Sequence, residues 1–368
     1  MNTQLFSGKA LSEVDVQLQA AISNHWVPSA VYGVYFQGYR FFGAFGQRRI
    51  EIDGWSSLPA SLETIYDLAS LTKPLATAAL VGRYVDRGWI SFSDTVLPDV
   101  TVFDLLSHQT GLQAWEPFYI KVRETGSWAE RRELFKNLLS SQLNIPARPK
   151  RTTLYSDLNY MVLGHWIENL VGKPLEQLFT ADVSLVLGLE NSLHFRKLTS
   201  WVNEAPLESY AATEVCPYRG LLQGRVHDDN CFSIGGVSGH AGLFGDVKSV
   251  LSLTENFLPA RSFFSPKTLK VLTDPAASVS DPGILSTRTA GFDLKTLGEA
   301  GLLPEKGFSS RTFGHLGFTG TSVYVDPVQS LVAVLLTNRV HPSRLASAGI
   351  KNVRKSFHQA LVSDLFLA

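Results

Sequence analysis

The chain has 368 residues, 45% hydrophobic and 18% charged, with 33 basic and 33 acidic side chains in balance. That length suits one large two-lobed domain or two ordinary ones, and zero net charge without a basic, aromatic-rich cluster argues against nucleic acid as a partner. No apolar run is long enough to span a bilayer, so no membrane partner is expected; residues 331–336 have the size of a buried strand.

Residues 1–7 lack a basic start and a long apolar stretch, and Cys216 and Cys231 fit a reducing compartment. A cytoplasmic location is expected. Residues 11–22 read as an amphipathic helix, with Leu11, Val14, Leu18 and Ile22 at helical spacing. Residues 30–36 and 39–45 are rich in aromatic and β-branched side chains and read as strands joined by a Gln37-Gly38 hairpin turn. A helix beginning at Ser70 continues through 75–85. Further helices cover 102–106, 131–139 and 160–171, with Gly111, Gly172 and Pro174 as stop signals. Residues 204–245 are irregular and rich in Gly, Asp and His, and so long a loop is usually functional. Strands return at 321–325 and 331–337, around a turn at 326–330, and a last helix spans 345–365.

This pattern predicts an α/β (α+β) fold: an antiparallel sheet flanked by helices and shared by both chain ends, with an inserted helical lobe. We expect a single catalytic domain over 1–368. Its sheet lobe comes from about 1–68 and 235–368, and its mainly helical lobe from about 69–234.

Ser70-Leu71-Thr72-Lys73 carries the strongest chemical signal. A serine three residues before a lysine at a helix start places both side chains on one face. A deprotonated lysine amine can take the serine proton, and the hydroxyl becomes a nucleophile on which an acyl group is parked. A helix N-terminus there adds N–H groups aimed at developing negative charge. Alone, the pattern reads equally well as an N-cap followed by a solvated lysine.

Acyl transfer also needs a second proton-transfer group, a polar group that orients the substrate and an oxyanion donor. Tyr155-Ser156-Asp157 lies in a turn before the helix at Tyr160. Tyr155 is a candidate to move the proton between Ser70, Lys73 and the leaving group. Asp157 is a candidate to accept a hydrogen bond from Lys73 or from substrate. The alternative is that Asp157 caps the next helix and Tyr155 packs in the core. Gly314-His315-Leu316-Gly317-Phe318-Thr319-Gly320 precedes the strand at 321. Gly317 and Gly320 let a ligand approach the backbone, and the Phe318 N–H can join that of Ser70 in an oxyanion hole. His315 supplies a polar or cationic head near the leaving group, or is a satisfied histidine at a strand entry.

Ser-x-x-Lys, Tyr-Ser-Asp and His-x-Gly, in that order, resemble the motifs of the serine β-lactamase and penicillin-binding-protein superfamily. The branch is the one around class C β-lactamases, with its DD-peptidases, esterases and amidases. Residues 101–112, 226–230 with 235–244, and 336–342 resemble further segments of that family. The resemblance implies Ser70 as nucleophile, Lys73 as its base and Tyr155 as the second-motif tyrosine. Asp157 stands where class C enzymes carry asparagine. His315 and Leu316 stand where they carry lysine and threonine, and Gly317 is kept. That lysine and threonine help hold a substrate carboxylate, so efficient β-lactam hydrolysis is not expected. Arg339 either replaces the carboxylate anchor or is a surface arginine at a strand end.

His227, Asp228 and His240, with Glu214 nearby in sequence, offer a metal-ligating set. The preferred reading is a loop in which His227 and His240 contact a sugar or peptide, with hydrogen bonding inside the loop as the alternative. We expect no metal and no cofactor. Trp115, Phe118 and Tyr119 read as a cleft wall or as ordinary packing, and His108 as stabilising its own turn. The expected function is a serine hydrolase acting through an acyl-enzyme on a small-molecule substrate. The resemblance points to a peptidoglycan-derived amide or peptide bond, cut as by a muropeptide amidase or DD-carboxypeptidase. A carboxylesterase of the same fold and a non-hydrolytic β-lactam or muropeptide sensor are the alternatives. The oligomeric state is left open.

Overall fold

The computed structural model describes residues 11–52, 54–143, 153–198, 207–259, 261–276, 288–294, 302–345 and 349–367. Residues 1–7 and 204–206, used above, lie outside these. The largest sheet is antiparallel and holds β1 (Ser29–Phe36), β2 (Tyr39–Arg49), β3 (Leu58–Pro59), β4 (Asp293–Leu294), β5 (Phe313–Leu316), β6 (Ser322–Asp326) and β7 (Leu331–Thr337). Their spatial order is β4-β5-β6-β7-β1-β2-β3. The two ends of the chain therefore pair directly: Ala30 faces Thr337 and Phe36 faces Leu331. Gln37 (φ 48°) and Gly38 (φ 101°) form the tight β1–β2 turn, whose positive φ values match the strand twist.

The helices that position the site are α1 (Ser12–Ser23), α2 (Ala79–Asp86), α3 (Val102–Leu106), α4 (Trp128–Leu143), α5 (Asp157–Val171), α6 (Val247–Thr254) and α7 (Ile350–Phe366). Because side chains alternate along a strand, β1 and β7 feed two separate cores. Ala30, Tyr32, Val34, Leu331, Ala333 and Leu335 pack with Val14 and Leu18 of α1 and Val353 and Phe357 of α7. Val31, Val332, Val334 and Leu336 pack with Val247 and Val250 of α6 in the larger core that continues among the helices. Full burial of each such side chain is worth about 1.5–3 kcal/mol.

Four elements differ from the sequence reading. The helix expected from Ser70 is a 3₁₀ turn (Ala69–Leu71), then a wide π-type turn (Lys73–Ala78), then α2. Pro74 brings no N–H to the first turn, and wide turns of this kind recur at functional sites. α5 begins at Asp157 with Ser156 as its extended N-cap, so Asp157 is the first helical residue and its carboxylate is free to face Lys73. α7 begins at Ile350 instead of 345. Residues 207–245 contain the hairpin Ala212–Cys216/Gly220–Gln223, a short helix Asp229–Ser233 and the strand Leu243–Gly245, which pairs with Tyr66–Asp67. Among the described residues, no helix is long and apolar enough to cross a membrane.

Candidate active site

The segment before Ser70 is held from several sides. The buried Asp67 carboxylate accepts the Ala69 N–H (2.9 Å) and the His227 N–H (2.7 Å). Ala69 sits at φ 48°, a left-handed conformation that costs a non-glycine residue energy and persists where its surroundings enforce it. Thr72 Oγ1 accepts the Leu243 N–H (3.2 Å), and Thr77 Oγ1 donates to the Gly239 carbonyl (2.7 Å). The bend carrying Ser70 is thus fastened to the 239–243 segment.

Lys73 is fully buried. Its Nζ lies 3.0 Å from Ser70 Oγ, 2.8 Å from Asp157 Oδ1 and 3.3 Å from the His240 carbonyl. Burial alone pushes the amine down, but the Asp157 carboxylate and Tyr155 outweigh it, and the net displacement is upward. Lys73 is therefore an ammonium at neutral pH. Asp157 is the leading cause of the rise, so Lys73 must give up a proton before it can take one from Ser70. Tyr155 is pushed up by burial, against the Lys73 charge and hydrogen bonds from Lys73 and Ser70, and rests as a neutral phenol.

The 317–321 turn rides on the chain just before Ser70. Thr319 Oγ1 donates to the Asp67 carbonyl (2.7 Å) and Thr321 Oγ1 to the Leu68 carbonyl (3.2 Å). A Cβ on Gly317 would fall 2.0 Å from Thr321 Oγ1 and 2.8 Å from the Leu68 carbonyl oxygen, so only glycine allows this approach. Arg339 Nε donates to the Phe318 carbonyl (2.6 Å), and Arg354 Nη2 donates to the carbonyls of Gly317 (3.1 Å) and Thr321 (2.9 Å). Ser70, Tyr155, Arg288, His315, Phe318 and Arg339 share the wall of one cleft of about 470 Å³.

Several expectations are corrected. His315 is not a cationic head: burial, then the charges of Lys73 and Arg288, hold its pKa well below the ordinary value. Its Nδ1 lies 3.0 Å from the Leu316 carbonyl, so Nδ1 carries the proton and Nε2 is an acceptor without a partner among the described residues. Arg339 is not a surface side chain; it is nine-tenths buried, with its guanidinium 4.4 Å from the Phe318 ring centroid.

His227 and His240 do not line the cleft. His227 Nε2 is 3.1 Å from Glu214 Oε2, and the ring stacks on Phe318. His240 lies between Ser238 Oγ (2.8 Å) and Asp228 Oδ1 (3.0 Å). Hydrogen bonding within the loop is the outcome, and both residues serve the site through the backbone, His240 through its carbonyl and His227 through its N–H. Among the described residues, the metal-type side chains that converge are Asp157, Asp228 and His240, with ligand atoms within 4.8 Å of one another; the Lys73 ammonium supplies positive charge beside Asp157.

Phe118 is buried against Phe135, while Trp115 is half exposed and neither it nor Tyr119 borders the cleft. His108 acts on a different turn from its own: its Nδ1 accepts the Ser156 N–H at 3.1 Å, fixing the backbone beside Tyr155. Sequence reasoning missed Arg288 and Arg354. Arg288 lies 5.0 Å from the Tyr155 ring centroid and pairs with Asp293. Arg354 neighbours the apolar stripe of Val353 and Phe357 on α7, and a buried arginine beside such a stripe is the one signal it leaves.

The beta-lactamase family model matches residues 16–355. A protein of Salmonella agona named "Putative D-alanyl-D-alanine carboxypeptidase" is 29% identical over 314 residues, covering 77% of this chain and 71% of its own. The protein of the same name from Salmonella gallinarum gives the same figures. Among solved structures, "EstCE1, a hydrolase with promiscuous acyltransferase activity" superposes with a TM-score of 0.68 at 20% identity, covering 94% of this chain and 98% of that one. The penicillin-binding protein homologue from Pyrococcus abyssi gives 0.69 at 18%, covering 96% and 77%. At such identities the structural likeness speaks for the fold alone, and it agrees with the antiparallel sheet and the flanking helices. A match over nearly the whole length decides the assignment: the chain belongs to the beta-lactamase family and is a serine hydrolase of that fold.

Proposed function

We propose that Ser70 is the nucleophile of this hydrolase and forms an acyl-enzyme. The observation that carries the reading is the 3.0 Å contact between Ser70 Oγ and a buried Lys73 Nζ at the wall of a cleft. Lys73 rests protonated, so it becomes a base by passing a proton to Asp157, 2.8 Å away, when bound substrate excludes water. The freed amine takes the Ser70 proton as Oγ bonds to the substrate carbonyl carbon. The negative oxygen that forms lies between the N–H groups of Ser70 and Phe318. Collapse breaks the bond to the leaving group, which takes its proton through Tyr155. Water then releases the acyl group by the same steps. His315 Nε2, an acceptor, receives a substrate N–H or O–H.

For the substrate we propose a peptidoglycan-derived amide or peptide bond next to a carboxylate. The name of the Salmonella relatives supports this, as do Arg339 and Arg354 on the cleft wall. A second reading, a carboxylesterase, draws on Leu316 and neutral His315, which offer neither a hydroxyl nor a cation for a carboxylate. In either case the chain acts as one catalytic domain, its sheet part and helical part meeting at Ser70. A cytoplasmic location is part of the proposal and suits two buried, unpaired cysteines; cell fractionation tests it.

The functional experiment compares wild type and Ser70→Ala on p-nitrophenyl acetate, nitrocefin and defined muropeptides. Ester turnover lost in the variant, slow nitrocefin cleavage and release of a terminal amino acid from muropeptides support the first reading. Ester turnover without muropeptide cleavage supports the second. Fast nitrocefin turnover contradicts the roles given to His315 and Leu316.

A further inference from the structure

A second cavity, of about 620 Å³, shares a wall residue with the Ser70 cleft: Arg339 borders both. Its lining is mostly apolar. Ile22 comes from the last turn of α1, Trp26 and Val27 from the chain leading into β1, and Ile50 from the exit of β2. Gly349, also in the wall, lets the start of α7 close on Trp26; a Cβ there would fall 2.5 Å from Trp26 Cβ.

Four polar side chains interrupt this lining, His25, Gln47, Arg339 and His341, and three of them have a buried polar atom without a partner among the described residues: Gln47 Oε1, Arg339 Nη1 and His341 Nδ1. Arg339 is nine-tenths buried and His341 almost completely so. Arg339 spends Nε on the Phe318 carbonyl. His341 Nε2 accepts the Ile50 N–H at 3.2 Å, and burial lowers the ring's pKa to about 4, so the single ring proton sits on Nδ1. The two unpartnered nitrogens are therefore donors, one of them charged, while Gln47 Oε1 is an acceptor. Leaving such donors buried and unmet costs about 1–3 kcal/mol each, and native structures do so rarely without a ligand or water to meet them. A cation is repelled by Arg339, and a neutral hydrocarbon leaves both donors unmet. A carboxylate meets both nitrogens, and the Gln47 amide, turned over, adds an N–H donor to the same anion.

We infer that this cavity binds a small carboxylic acid with an apolar body, its carboxylate on Arg339 and His341 and its body against Trp26, Val27 and Ile50. The cavity does not need Ser70 to react, but it shares with the Ser70 cleft the arginine to which the substrate carboxylate is also assigned. It also borders that chemistry, because the arginine that receives the carboxylate holds the Phe318 carbonyl in the wall of the Ser70 cleft.

Isothermal titration calorimetry on the whole protein near neutral pH tests it, with 4-phenylbutyrate and its uncharged analogue 4-phenylbutyramide as probes. A third titration uses Ile50→Trp, which fills the cavity from a half-buried position outside the catalytic groups. The acid is expected to bind at one site. Both the amide on wild type and the acid on Ile50→Trp are expected to bind about tenfold more weakly or worse. Should Ile50→Trp fail to fold by circular dichroism, Ile22→Trp fills the same cavity from α1. Equal affinity for acid and amide overturns the charge argument, and unchanged binding by the filled variant puts the probe elsewhere. No heat of binding at about 10 mM acid removes the site altogether.

Discussion

Lys73 Nζ and Asp157 Oδ1 lie 2.8 Å apart, and Ser70 Oγ lies 3.0 Å from that same nitrogen. One carboxylate at the first residue of α5 thus sets the charge of the group beside the proposed nucleophile. Burial favours a neutral amine at Lys73 and Asp157 reverses the balance, so the pair couples proton transfer to the state of Asp157.

Asp157→Asn is therefore expected to lower the Lys73 pKa, because the carboxylate that does most to offset burial is removed and Tyr155 and the Asp228 charge remain. If the amine must be free to act, the rate of p-nitrophenyl acetate hydrolysis rises with pH as Lys73 deprotonates, and this limb moves to lower pH in the variant. A change on the order of tenfold in kcat/KM near neutral pH is expected. A pH–rate profile of both proteins checks it. An unmoved limb contradicts the role given to Asp157.

His315 is expected to be neutral at pH 6.5, where a free imidazole is half charged, since burial and the Lys73 and Arg288 charges all oppose its protonation. Nuclear magnetic resonance of ring-labelled histidine, with His315→Gln to assign the signal, reads this directly. A His315 signal titrating near 6.5 would restore the cationic head that the sequence suggested.

Much of this was legible in the residues and some was not. Alternation of Ala30, Tyr32 and Val34 against Val31 marks a strand buried on both faces, and the spacing of Ser70 and Lys73 survives even though a wide turn, not a regular helix, carries it. Tyr155, Gly317 and Phe318 stand together because the 317–321 turn hangs on residues 67 and 68, a contact between distant parts of the chain that short motifs still foretold. Charge states were illegible. Whether Lys73 is charged and His315 neutral depends on burial and on neighbours far away in sequence. Arg354 lies in no motif, and its neighbours Gly317 and Thr321 are more than thirty residues distant. His227 and His240 were attractive as ligand contacts because polar residues between glycines often line clefts; here Glu214, Ser238 and Asp228 occupy them instead.

Gly317→Ala is expected to cost about 1–3 kcal/mol of stability and to lower kcat more than it changes KM, because the new Cβ meets Thr321 Oγ1 and the Leu68 carbonyl and pushes Phe318 away from Ser70. Urea unfolding and steady-state kinetics measure both. Thr319→Val, which removes only the hydroxyl that bonds the Asp67 carbonyl, is the milder companion and should lower kcat with the fold intact.

Asp228 is expected to contribute to acid stability. Burial works against its charge, but His240, the Cys231 N–H and Lys73 hold its carboxyl well below the usual range. A carboxylate whose folded pKa is depressed adds stability that is present above its ordinary value of 3.8 and is lost as pH falls through the folded value. Asp228→Asn is expected to lose about 1–3 kcal/mol at neutral pH and to show a smaller further loss on acidification than wild type. Urea unfolding on both sides of the carboxylate range tests this, and parallel curves for the two proteins contradict it.

The claim on which the rest depends is a covalent bond to Ser70. Intact-protein mass spectrometry after treatment with a fluorophosphonate, followed by peptide mapping, measures it directly. The account predicts one adduct per chain, located on Ser70 and absent in Ser70→Ala. An adduct on another residue, or an unmodified Ser70 in protein that still hydrolyses esters, would contradict it.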